Sequence, residues 1–220
     1  MISTLTAGLS LGLLLGMRHA LEPDHLAAVS LLVLRKGPRH APLTVGALWG
    51  LGHTLSLLAV SFLVAALGAK LPARMFAAFE CGVAAMLLIL GGRAVARSLR
   101  ERGDLGHPLR HVDGHHQVGP STGRRSLVVG LVHGLAGSGT LTAFVMASLP
   151  TVGTRLLYVA LFGVGSLCGM ACLTGLAGWP LARWADKGQS SSWLTVATGA
   201  CSILLGSVWG YSAIAGLFAV

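Results

Sequence analysis

Six long runs of apolar residues, separated by short basic or proline-containing breaks, constrain the fold of this chain most strongly. A helix crosses a bilayer core with about 20 apolar residues. Only 10% of the residues are charged and 54% are hydrophobic, whereas roughly 25% are charged in a typical soluble domain. We therefore predict an all-α, polytopic membrane protein of about six transmembrane helices in a lipid bilayer. The predicted spans lie near 3–34, 42–67, 73–96, 126–148, 152–179 and 192–219.

The positions of the basic residues predict how these spans are oriented. The net charge is +9, and most Lys and Arg residues lie between apolar runs, twelve on one side of the predicted spans and three on the other. The twelve-charge side is expected to be cytoplasmic, which predicts a cell (inner) membrane protein with both termini outside the cytoplasm. Because the charge is a topology signal, we expect no nucleic-acid partner. Residues 1–17 carry no charge, so we predict a retained first helix rather than a cleaved signal peptide.

Two sequence motifs recur at nearly the same offset. Gly16-Met-Arg-His-Ala-Leu returns as Gly130-Leu-Val-His-Gly-Leu, 114 residues later, and Leu48-Trp-Gly-Leu-Gly-His returns as Leu161-Phe-Gly-Val-Gly-Ser, 113 residues later. A repeat of three spans places the second copy in the opposite orientation, as in many secondary transporters. We therefore predict two inverted three-helix repeats.

This repeat divides the chain into three segments within a single transmembrane domain, 1–220. The repeats cover 1–96 and 126–220, and a cytoplasmic His-rich loop, 97–125, joins them. The composition of the loop predicts an accessory site of weak metal affinity, with a solvated loop that binds no metal as the alternative. Its candidate ligands are His107, His111, His115 and His116.

The middle of the first apolar run carries four side chains that can bind metal: His19, Glu22, Asp24 and His25. Carboxylates at membrane depth cost about 2.5–3.5 kcal/mol each, and a divalent cation such as nickel, cobalt, zinc or iron would compensate them. Positions 19 and 25 lie about 240° apart on a regular helix, so both imidazoles reach one ion only if the helix is broken or re-entrant. Pro23 lacks an N–H and would leave the carbonyl of residue 19 bare as a further ligand. The alternative is a polar helix end at the membrane interface.

Two further histidines extend this candidate site. His53 lies deep in the second predicted span between glycines that permit close helix approach, and His133 is the repeat counterpart of His19. Glu80 is a weaker candidate near the start of the third span. Cys168 and Cys172 share a helix face, where packing is the simpler interpretation than soft-metal ligation.

The segment Arg18-His-Ala-Leu-Glu-Pro-Asp-His25 fits the His-x4-Asp-His signature and resembles the nickel/cobalt transporter family. Leu51-Gly-His-Thr54 is similar to the second motif of that family. The second half looks more like the six-span urease-accessory (UreH-type) branch of the TauE/DsbD-like transporters. The resemblance implies Ni²⁺ or Co²⁺ as the transported substrate, no tightly bound cofactor, and metal-site roles for His19, Asp24, His25 and His53.

We expect a secondary transporter and not an enzyme, since the sequence contains no Gly-x4-Gly-Lys-Ser/Thr phosphate loop. The resemblance favours nickel uptake that supplies a nickel enzyme under assembly, with nickel or cobalt efflux as the alternative. A TauE-like anion exporter, a non-transporting metal chaperone or sensor, and a thiol–disulfide conduit are weaker alternatives. The conduit needs an exchanging cysteine pair, and spans one and four hold no cysteine. We also allow for a homodimer.

Overall fold

The computed structural model describes residues 2–33, 41–67, 73–103, 120–136, 149–185 and 189–218. These residues are helical except for two short connections, at 20–22 and 149–151. The described helices are α1 (Ile2–His19), α2 (Pro23–Val33), α3 (Ala41–Leu67), α4 (Ala73–Gly103), α5 (Pro120–Ala136), α6 (Val152–Ala185) and α7 (Gln189–Phe218).

Several helix ends differ from the predicted spans. α4 continues to Gly103, so the prediction that the loop begins at 97 is wrong; the Arg, Leu and Glu residues there are good helix formers. α5 begins at Pro120, before the predicted 126, with proline at a first helical position where its missing N–H costs nothing. The loop histidines His107, His111, His115 and His116 lie outside the described residues.

Four of the described helices are long and apolar enough, by length and composition, to cross a membrane: α3, α4, α6 and α7. Their outward faces carry large apolar side chains; Leu176, Tyr211 and Phe218 are 78–80% exposed. Such side chains suit a surface that faces lipid, where apolar groups need no burial against protein. The all-α membrane class that the apolar runs predict is therefore confirmed.

Close contacts between helix backbones hold the bundle together. α1 packs along α6, and α5 packs along α3. A methyl group on Gly16 would overlap the carbonyl oxygen of Phe162, and one on Gly130 would overlap that of Trp49. Glycine at these positions therefore lets each helix approach its neighbour more closely than any side chain would permit.

Antiparallel contacts join α3 to α6 and α4 to α7. At the first of these, Gly50 lies against Leu167, and the Thr54 hydroxyl donates to the Gly163 carbonyl at 2.9 Å. At the second, the Ser202 hydroxyl donates to the Leu87 carbonyl at 2.9 Å. Hydrogen bonds of this kind between helices stabilise a bundle whose surroundings offer no water.

The first apolar run is broken, as its length and charged centre predict. α1 ends at His19, the N–H of Glu22 donates to the His19 carbonyl at 3.0 Å, and α2 begins at Pro23. The prediction of a bare His19 carbonyl is therefore wrong, because the turn itself supplies a donor. α1 and α2 do not pack side by side, so the break is not a tight hairpin.

α2 occupies the interior of the bundle. It contacts α3, α4, α6 and α7, and Ala27, Ala28 and Val29 on it are buried. The small alanine side chains permit several neighbours to approach at once. The first turn of α2, which carries Asp24 and His25, is consequently enclosed by protein.

Candidate metal centre

Five of the predicted site residues converge in the interior, from four helices. His19 is the last residue of α1, Asp24 and His25 lie in the first turn of α2, His53 lies in the middle of α3, and His133 lies near the end of α5. Each side chain is at most 3% exposed. We call these five residues the histidine cluster.

The four imidazole rings form one connected group. The ring centroid of His25 lies 4.4 Å from that of His19, 4.2 Å from that of His133 and 5.4 Å from that of His53. His53 also lies 5.1 Å from His19. The turn at 20–22 is what allows His19 and His25 to meet, because an unbroken helix would direct them to different faces.

Asp24 joins two of these rings. Its Oδ2 lies 2.6 Å from Nε2 of His133, and its Oδ1 lies 3.1 Å from Nδ1 of His25. An ionised carboxylate only accepts hydrogen bonds, so both ring nitrogens donate to it. In the neutral imidazoles, the opposite nitrogens, Nε2 of His25 and Nδ1 of His133, then carry the free lone pairs.

The remaining ring nitrogens of the cluster have no hydrogen-bond partner among the described residues. They are both nitrogens of His53, Nε2 of His25, Nδ1 of His133 and the nitrogens of His19. Buried polar atoms are normally paired, since an unsatisfied one costs free energy. A group of free imidazole nitrogens in one place is therefore well suited to bind a cation.

Two sets of ligand atoms are close enough to share one ion: His19, His25 and His53 form the first, and Asp24, His25 and His133 form the second. Within each set the atoms lie within 4.8 Å of one another. Imidazole nitrogens bind zinc at about 2.0–2.1 Å, so shifts of under about 1 Å would close a set around an ion. The second set is already joined by hydrogen bonds, whereas each histidine of the first has a ring nitrogen without a hydrogen-bond partner among the described residues.

Other predicted ligands lie outside the cluster. Glu22 is 47% exposed, and its Oε1 lies 2.9 Å from Nδ1 of His19 without the angle of a hydrogen bond. Glu80, Cys168 and Cys172 are exposed on their helices. Glu22 is therefore at the edge of the site, where a carboxylate can attract a cation toward His19.

Glycines on α5 position His53. A methyl on Gly130 would meet the His53 backbone nitrogen, and one on Gly134 would overlap the His53 carbonyl and the Ser56 hydroxyl. The α5 backbone thus lies directly against α3 beside His53. Because His133 is one residue before Gly134, the same contact brings His133 close to His53.

Two aromatic residues outside the predicted set of site residues also border the cluster. The Trp49 ring centroid lies 5.4 Å from that of His25 and 5.8 Å from that of His133, and the Phe162 centroid lies 5.3 Å from that of His19. The sequence feature that relates these two residues is the repeat, in which Trp49 and Phe162 occupy equivalent positions at an offset of 113.

Comparison with known proteins places the chain in a family. The family model described as high-affinity nickel-transport protein, NicO, matches residues 5–104, which include His19, Asp24, His25 and His53. The chain is 31% identical over 207 residues to the urease accessory protein UreH of Bacillus sp. (strain TB-90), covering 93% of this chain and 90% of that protein. The chain belongs to the NicO nickel-transport family. No solved structure matches it.

Family membership confirms the resemblance that the His-x4-Asp-His segment carries. Together with the four apolar helices that can cross a bilayer, it makes this NicO family member a multi-pass membrane protein.

Proposed function

We propose that this NicO family member is a secondary transporter that moves Ni²⁺ or Co²⁺ across the cell membrane through the histidine cluster. The observation that carries the proposal is the group of imidazole nitrogens of His19, His25 and His53 that have no hydrogen-bond partner among the described residues and are enclosed by apolar helices. Imidazole is a good ligand for nickel and for the neighbouring divalent ions. A buried group of imidazoles with free ring nitrogens has no comparable use in apolar packing.

In this proposal the transported ion exchanges water for the nitrogens of His19, His25 and His53. Asp24 stays outside the first coordination shell: it orients His25 through Nδ1, and its negative charge offsets that of the cation. A carboxylate that accepts from the far nitrogen of a ligating histidine fixes the ring and raises its basicity. Since the His25 ring also lies beside that of His133, it provides a step by which the ion can move toward His133.

We further propose six spans arranged as two inverted repeats. In this arrangement α1 with α2 forms span one, and α5 begins span four. The contacts made by the repeat motifs support it: Gly16 packs on Phe162 as Gly130 packs on Trp49, and the offsets are 114 and 113. Gly52 and Gly165 are related in the same way, since they pack on α5 and α1 respectively. Rocking of one repeat against the other would then expose the midplane site to each side in turn.

For the direction of transport we propose import. The UreH relative is named as a urease accessory protein, and a nickel transporter in an accessory role is expected to deliver the ion to the inside of the cell. The orientation predicted from the basic residues places both termini outside and the joining loop in the cytoplasm.

The test is accumulation of radiolabelled nickel and cobalt in cells that express the wild type, His19→Ala or His25→Ala, with an empty vector as reference. Wild-type cells should accumulate the ion above the vector level, and both variants should return to that level because each loses a ligand. Glu80→Gln is the matched control, since it removes an exposed group outside the cluster and should leave accumulation unchanged.

Equal accumulation in all the strains, with equal amounts of protein in the membrane, would contradict the transporter proposal. Accumulation below the vector level in wild-type cells would instead select efflux. A metal sensor that does not transport would bind nickel when purified but leave accumulation at the vector level.

A further inference from the structure

The cluster lies between two aromatic side chains in a line of rings. Phe162 contacts His19, His19 contacts His25, His25 contacts His133, and His133 contacts Trp49, with centroid separations of 4.2–5.8 Å. Both aromatic side chains are buried, at 3% or less exposed. Each therefore closes one end of the group of histidines.

The two rings lie on opposite sides of one level of the bundle. In the antiparallel pair of α3 and α6, Gly50 faces Leu167 and Thr54 faces Gly163, so residues 52 and 165 lie at the same level. Trp49 precedes residue 52 by three positions, as Phe162 precedes residue 165. Because α3 and α6 run in opposite directions, the two rings are displaced from that level toward opposite ends of the bundle, each by roughly 4.5 Å along its helix.

The same local contact holds both aromatic residues. The backbone carbonyl of Phe162 is covered by Gly16 of α1, and that of Trp49 is covered by Gly130 of α5. The histidine beside each ring comes from the same neighbouring helix, His19 for Phe162 and His133 for Trp49. The two ends of the cluster are therefore built alike and face opposite ways.

We propose that Phe162 and Trp49 are the two gates of the transport pathway, Phe162 on the side away from the basic loops and Trp49 on the basic side. This rests on the proposed transport function, which requires that the enclosed cluster open to one side at a time. Moving the Phe162 ring uncovers His19, and moving the Trp49 ring uncovers His25 and His133. The chain thus has one aromatic gate for each repeat.

The two gates differ in polarity. The indole N–H of Trp49 is buried without a hydrogen-bond partner in the described part of the chain, whereas Phe162 has no polar atom. An unsatisfied buried donor destabilises the closed position, and water on the basic side would satisfy it once the ring moves. The Trp49 gate should therefore open more readily than the Phe162 gate.

The test is the accessibility of a cysteine placed in the cluster. His53→Cys is introduced after serine replaces the four native cysteines, Cys81, Cys168, Cys172 and Cys201. A charged, membrane-impermeant methanethiosulfonate is then applied to right-side-out and to inside-out vesicles. Phe162→Leu should raise the labelling rate from the outside, and Trp49→Leu from the inside. Each increase should be about tenfold, as when a conformation populated at roughly 10% or less becomes dominant.

The matched control is Tyr158→Leu. Tyr158 is a buried aromatic residue one turn before Phe162; within the described chain its ring contacts Phe162 but no histidine, so its replacement should leave labelling unchanged. The proposal would be overturned if both gate variants raised the labelling rate from the same side, if neither raised it, or if Tyr158→Leu raised it equally.

The conservative variants Phe162→Tyr and Trp49→Phe keep an aromatic ring and should keep the labelling rate low, which separates gating from misfolding. Labelling does not depend on nickel movement, so failure of the transport proposal is detected separately by the accumulation assay.

Discussion

At the scale of single residues, Asp24 imposes the strictest requirement on the cluster. A carboxylate that is 2% exposed needs hydrogen bonds and a compensating positive charge, and His25 and His133 provide the hydrogen bonds. Both rings are consequently oriented, with defined nitrogens free for a ligand. The acidic residue of the signature therefore has a structural reason for its place directly before His25.

Asp24→Asn should weaken nickel binding without abolishing it. The amide keeps the size of the side chain but loses the charge, and it presents a donor where His25 or His133 also donates. Loss of such a supporting carboxylate typically costs about 10–100-fold in metal affinity. Nickel titration of the purified protein measures the affinity, with Glu80→Gln as the control. Complete loss of nickel binding by the variant, with a carboxylate oxygen ligand in the X-ray absorption spectrum of the nickel-bound wild type, would show instead that Asp24 is a direct ligand.

At the scale of helices, the site depends on a break and on a close contact. The break after α1 allows two histidines of one segment to meet, and the glycine contacts of α5 bring in a third ring beside α3. Each device can be tested separately, since they involve different residues.

Pro23→Ala should lower nickel affinity by at least about tenfold, the lower end of what displaced supporting groups cost a metal site. Residue 23 would regain an N–H that can donate to the His19 carbonyl, which favours continuation of α1 through the turn. His25 would then rotate away from His19. Nickel titration and thermal unfolding in detergent are the measurements. Unchanged affinity would mean that packing around α2 maintains the break without the proline.

Gly130→Ala should destabilise the protein by about 1–3 kcal/mol, the usual cost of overpacking. The added methyl would overlap the Trp49 carbonyl and push α5 away from α3. Gly92→Ala on α4 is the matched control, because a methyl there meets nothing within 4 Å, and alanine is a better helix former by roughly 0.5–1 kcal/mol. Thermal unfolding in detergent should therefore move in opposite directions for the two variants, and equal shifts would contradict the close-contact interpretation.

At the scale of the whole molecule, the parallel and antiparallel packing of the helices agrees with spans that alternate in direction. α3 runs antiparallel to α6, and α4 runs antiparallel to α7. α1 runs parallel to α6, and α5 runs parallel to α3. This is the arrangement expected of six alternating spans, and the basic residues predict which ends face the cytoplasm.

Single cysteines at Arg100 and Thr151 should be labelled from opposite sides of the membrane. Both positions are exposed, one near the end of α4 on the basic side and the other just before α6. In a cysteine-free background, an impermeant maleimide should reach Thr151→Cys in right-side-out vesicles and Arg100→Cys in inside-out vesicles. Labelling of both from one side would contradict the proposed topology.

The sequence alone determined the membrane class, the broken first helix and the residues of the cluster, because these follow from local chemistry. Apolar runs predict helices in lipid, and Pro23 with its charged neighbours predicts a break. His19, Asp24, His25, His53 and His133 could be selected because polar side chains are costly inside a membrane. The end of α4 was predicted less well, because a polar helix end and a loop have similar compositions.

Only the tertiary structure determined which contacts each of these residues makes. That Asp24 binds His25 and His133, that the His19 carbonyl already has a donor, and that Glu22 lies at the edge all depend on where separate helices meet. Trp49 and Phe162 are equivalent positions of the sequence repeat, but contacts between helices are what make them borders of the cluster. Such contacts arise from packing between distant segments, which residue spacing along one segment does not specify.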